Sequence, residues 1–184
     1  GSFAAIIHVD GSAAPGGAGQ SWATAYRFLQ DALTAAGSGD EIWVAAGVYR
    51  PDRSEANPAG SGDREASFVL KNGVALYGGF VGREDPQTCD LDGRDFAVNE
   101  TILTGDLNGD DNHSVTGAAM IADSNRGENS YHIFKGTGIS DAAVIDGFTI
   151  TGGHATAPGN DLGGGLFNSN NSNPKLYNCL FTRN

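Results

Sequence analysis

The chain has 184 residues, enough for one domain with a buried core, and Gly (28 residues) takes the place of charged residues, which fall to 18%. With 22 acidic against 11 basic side chains and a net charge of −11, its surface repels phosphate backbones and anionic lipids, which weighs against nucleic acid as a partner. No apolar run reaches the roughly 20 residues of a membrane helix, so no membrane insertion is expected.

Gly1-Ser2 has the form of an expression-tag remnant, so any native signal peptide would have been removed with the sequence before it. Ala5 to Val9 is short and apolar and predicts a strand; Asp10 to Gln20, rich in Gly, Ala and Pro, predicts a loop. Trp22, Tyr26, Leu29 and Leu33 then recur at helical spacing, with Ser21 as N-cap and Gly37 and Gly39 as the stop. Residues 1–40 are therefore expected to form a strand, a loop and an amphipathic capping helix. Residues 41–184 are expected to be β-coils.

The coil expectation comes from a repeat. Glu41 to Tyr49 is strand-rich, and after it an aliphatic residue, any residue, then Gly or Asn returns at Leu76-Tyr77-Gly78, Leu103-Thr104-Gly105, Ile145-Asp146-Gly147 and Leu176-Tyr177-Asn178. Ile145, Phe148 and Ile150 match Leu176, Cys179 and Phe181 offset for offset. A spacing of three and then two cannot point inward along one straight strand, so a bend is implied, and Gly or Asn tolerates the left-handed backbone it needs. A further strand precedes each bend, at Phe68-Val69-Leu70, at Tyr131 to Phe134 and at Leu166-Phe167. The longest excursion runs from Asn108 to Asn129. These features predict an all-β chain, a right-handed parallel β-helix whose N-terminal end the helix covers.

The same residues resemble bacterial right-handed β-helix proteins of the pectin-lyase-like superfamily. Ser21 to Tyr26 with Leu29 to Leu33 is similar to their N-terminal cap, Gly39 to Tyr49 to their first coil, and Leu76 to Phe80 and Ile145 to Gly153 to later coils. Gly163-Gly164-Gly165-Leu166-Phe167 and Phe181-Thr182-Arg183-Asn184 resemble the paired repeats of polymorphic outer-membrane adhesins. The resemblance implies a secreted or bacterial cell-surface location and a non-catalytic, adhesin-like role, with a glycan as ligand. The alternative it implies is the N-terminal part of a polysaccharide lyase or glycoside hydrolase acting on acidic polysaccharide.

Candidate chemistry is sparse. Asp106, Asn108 and Asp110 place oxygen ligands at alternate positions, as at the opening of a calcium loop, but Gly109 and Gly117 stand where an EF-hand departs, so only a looser, weak calcium site is expected. Asp and Asn in such a run equally make a turn. Tyr77 and Tyr177 share one position beside the bend, where they would stack on sugar rings or simply on each other. No catalytic residue is assigned. Cys89 and Cys179 have no metal spacing, and sequence does not decide whether they pair. The chain is expected to continue past Asn184, and the open last coil to meet a second copy end to end.

Overall fold

The computed structural model describes residues 4–184; the proposed tag remnant Gly1-Ser2 lies outside them. Among the described residues, twelve strands form three sheets, all parallel. The first contains β1 (Ile6–Val9), β2 (Glu41–Ala45), β5 (Ala75–Phe80), β8 (Val144–Asp146) and β11 (Lys175–Tyr177), hydrogen-bonded in that order. The second runs β3 (Gly47–Tyr49), β6 (Thr101–Thr104), β9 (Thr149–Thr151), β12 (Leu180–Thr182). The third runs β4 (Phe68–Val69), β7 (Phe134–Thr137), β10 (Leu166–Ser169). Inward side chains from all three meet in one core that includes Ile42, Leu76, Ile145, Leu103, Ile150, Phe68 and Phe134.

This corrects the all-β expectation. The chain has an α/β-type fold, three all-parallel sheets with one α-helix, α1 (Leu29–Ala35), and four short 3-10 helices, and no closed solenoid is detected among the described residues. The strands are only two to six residues long. Between β5 and β6, and again between β6 and β7, the chain leaves the sheets on excursions that carry 3-10 helices instead of tight turns. The repeat also misled in one place. Leu76, Ile145 and Leu176 pair in the first sheet, but Leu103 pairs with Tyr49 and Ile150 in the second. Four copies of one sequence pattern thus mark positions in two different sheets, not one bend per coil.

The expected pairing of the last two copies holds. Ile145 lies against Leu176 and Ile150 against Phe181, and Leu180 donates its N–H to the Phe148 carbonyl. Between the paired residues, Gly147 (φ 85°) and Asn178 (φ 48°) take the left-handed backbone expected of the bend. The expected single helix is split. Trp22–Thr24 forms a 3-10 turn, Tyr26 bridges to Val9 as extended backbone, and only Leu29–Ala35 is α-helical. The bridge wins because it satisfies backbone groups of β1: the Tyr26 N–H donates to the His8 carbonyl, and the Asp10 N–H to the Tyr26 carbonyl. α1 buries Leu29, Ala32 and Leu33 against β1, β2 and β4.

Candidate functional site

The second sheet presents a groove of about 370 Å³ on its outer face. Because successive strand residues alternate in direction, Val48, Ile102 and Thr149 form one outward column, and Thr104, Thr151 and Thr182 another. These columns make a floor of hydroxyls beside aliphatic carbon. The walls come from Arg50, from Arg183 and from the loop after β6, through Asp106, Gly109, Asp111 and His113. Thr104 accepts the Asp106 N–H and Thr149 donates to Glu100, whereas the hydroxyls of Thr151 and Thr182 make no intrachain hydrogen bond among the described residues.

The loop wall is held by its own acids. Asp106 accepts the N–H groups of Gly109 (2.7 Å) and Asp110 (3.1 Å) on Oδ1, and that of Asp111 (3.3 Å) on Oδ2. Arg50 donates from Nε to the Asp106 carbonyl. Asp111 receives both Asn129 Nδ2 and the guanidinium of Arg126, the latter at 3.4 Å. Arg126 is 1% exposed and also donates to the carbonyls of Gly153 and Arg183. Burial pushes the Asp111 carboxyl above its ordinary value, with Asn129 and Arg126 opposing. Arg183 donates to the carbonyls of Asn112, His113 and Val115, and tolerates φ 55° to do so.

The calcium residues expected from sequence are partly brought together. Asp106, Asp110 and Glu128 each offer one oxygen, all within 4.8 Å of one another. Asn108 lies between Asp106 and Asp110 on the same loop and is exposed. Burial, then the charges of Asp110 and Asp106, raise the Glu128 carboxyl above its usual value. Its Oε1 is buried without a hydrogen-bond partner. Glu128 gave no signal in sequence, because only the return of the long excursion carries it back to Asp106.

Tyr77 and Tyr177 do share a column of the first sheet, with Asp146 between them. They do not form an open stripe. Arg94, from the excursion between β5 and β6, lies over the Tyr77 ring at 5.2 Å and pairs with Asp146 at 2.7 Å, leaving Tyr77 partly covered and Tyr177 50% exposed. Asp146 also accepts from Asn178 Nδ2, so its carboxylate serves the column itself. Cys89 and Cys179 are both free thiols. His132 is buried between the Gly163 carbonyl and Asn160 Oδ1. Comparison with protein-family models, with curated proteins and with solved structures finds no match, so no family is assigned.

Proposed function

We propose that the chain is a non-catalytic, adhesin-like module of a secreted or cell-surface protein, and that it holds a glycan in the groove over β3, β6, β9 and β12. The observation that carries the proposal is what the groove's two carboxylates are doing. Hydrolysis of a glycoside needs one carboxyl free to donate a proton and another free to attack or to activate water. Asp106 spends both oxygens on three backbone N–H groups, and Asp111 spends both on Asn129 and Arg126. The two unengaged hydroxyls and the adjoining Val48 and Ile102 suit a sugar ring, which offers hydroxyls at its edge and C–H groups on its faces.

A glycan array probed with the labelled chain tests this, with Thr151→Val and Thr182→Val as variants that keep side-chain shape. Binding lost in both variants is the expected result. Unsaturated or shortened products from acidic polysaccharides, formed with turnover by the purified chain, would overturn the non-catalytic assignment.

The proposal includes a weak calcium site at Asp106, Asp110 and Glu128, beside the groove wall. Oxygen-only ligands suit a hard cation, and the unpartnered buried Oε1 of Glu128 supports it. The protein partner proposed is a second copy, meeting the last layer of strands. Leu176, Tyr177, Leu180 and Phe181 are each at least 40% exposed there, beside unpaired strand edges. Light scattering over a concentration series should show the association, and a strict monomer would remove it.

A further inference from the structure

The chain contains two Asn-Gly pairs, Asn72-Gly73 and Asn108-Gly109, and the structure treats them differently. Asn-Gly is the dipeptide in which a side-chain amide is most open to attack by the next backbone nitrogen, because Gly has no Cβ to block the approach. Asn72 is locked. Its Nδ2 donates to the Gly138 carbonyl at 3.2 Å and its Oδ1 accepts the Ser140 N–H at 2.6 Å. Asn108 is exposed, and among the described residues its side chain makes no hydrogen bond.

We propose that Asn108 is a self-modification site that deamidates spontaneously in the folded protein, while Asn72 does not. The Gly109 nitrogen attacks Asn108 Cγ as it gives up its proton. Asp106 Oδ1, which accepts that N–H at 2.7 Å, stands where the proton must go. A bond forms between Gly109 N and Asn108 Cγ, and the bond from Cγ to Nδ2 breaks. The amide nitrogen leaves as ammonia after regaining the proton through solvent. Water then opens the cyclic imide at either carbonyl, giving Asp or iso-Asp at position 108. The balance is one water consumed and one ammonia released, with no oxidant or cofactor.

The location gives the chemistry a consequence. The product adds a negative charge to a loop that already gathers Asp106, Asp110 and Glu128. The iso-Asp product also inserts a methylene into the main chain between Asp106 and the N–H groups it holds. The site would thus convert a neutral loop position into an acidic one with protein age.

The test incubates the full folded chain at mildly alkaline pH and follows both Asn-Gly peptides by mass spectrometry, with isoelectric focusing of the intact protein alongside. The acidic product is expected to accumulate at Asn108 on the order of tenfold faster than at Asn72, the protection expected of two hydrogen bonds that must break first. In urea the two sites should react at similar rates, which would show that the fold makes the difference. Asn108→Gln should remove the acidic species from the focusing gel. Equal rates at the two sites in the folded chain, or an acidic species that persists in Asn108→Gln, would overturn the proposal.

Discussion

Replacing Arg126 with Ala should be among the most damaging single changes in the excursion between β6 and β7. The guanidinium is 1% exposed, pairs with Asp111, and ties that excursion to two carbonyls of the sheet ends, those of Gly153 and Arg183. Removing it leaves Asp111, whose side chain is 4% exposed, with only Asn129 as a partner. Breaking a buried pair by deleting one member costs about 3–5 kcal/mol, because the other charge stays desolvated. The sign of the pH dependence follows from Asp111. Its folded carboxyl already lies above the unfolded value, mainly through burial, and loss of Arg126 raises it further. A carboxyl raised in the fold penalises folding above its folded pKa, and the penalty fades as pH falls and the group takes its proton. The destabilisation of Arg126→Ala relative to wild type should therefore be largest at neutral pH and shrink on acidification. Urea unfolding followed through Trp22 and Trp43 reads global stability, since both sit in the aromatic cluster around Phe80, which joins the 3-10 turn at Trp22 to β1, β2 and β5. Hydrogen exchange in residues 107–129 reads local opening of the loop. A loss below about 1 kcal/mol by both measures at neutral pH, or one that grows on acidification, would refute the clamp.

Three further outcomes are expected. Phe148→Ala, which empties a site 2% exposed in the shared core, should cost about 3–5 kcal/mol in urea unfolding. His8 is held below its ordinary pKa, first by burial, so the unfolded chain takes its proton before the folded one does. Stability should accordingly fall as pH drops from about 7 toward 5, and His8→Gln should flatten that slope in thermal melts. Calorimetry should show weak calcium binding that Asp110→Asn with Glu128→Gln abolishes; binding unchanged in the pair would place the ligands elsewhere.

Much of the strand content was legible because strands announce themselves locally. Ile6–Val9, Glu41–Ala45, Phe68–Val69, Ile145 and Leu176 all lie in strands where the apolar pattern put them, and the left-handed backbone at Gly147 and Asn178 follows from residue type. Sheet membership was not legible. Leu103-Thr104-Gly105 and Ile145-Asp146-Gly147 read alike, yet they belong to different sheets, because pairing is decided by which strand the chain reaches after its excursion. That is a property of excursion length and direction, and the apolar-x-Gly pattern carries neither. The helix failed for a related reason: Trp22, Tyr26, Leu29 and Leu33 fit a helical stripe, but the bridge from Tyr26 to Val9 satisfies backbone groups that a continuous helix would leave unpaired.

The site divides along the same line. Asp106 and Asp110 were visible because side-chain oxygens at alternate positions, through Asn108, are a local pattern, and the structure does gather the two carboxylates. Glu128, Arg126 and Arg94 were invisible, because each acts at a distance from its own neighbours in sequence: Glu128 on Asp106, Arg126 on Gly153, Arg94 on Asp146. In a chain with only 11 basic residues, the deeply buried guanidiniums are the costly ones to place, and each needs acceptors waiting for it. Arg94 finds Asp146 on β8 and the Gly78 carbonyl on β5, Arg126 finds Asp111 within its own loop and the carbonyls of Gly153 and Arg183 just past β9 and β12, and both arginines lie in excursions. Burying an arginine is thus how each excursion is pinned to the sheets. One pins a cover over Tyr77 and leaves Tyr177, in the same column, half exposed. The other pins the wall of the threonine groove, which leaves that face open to a ligand.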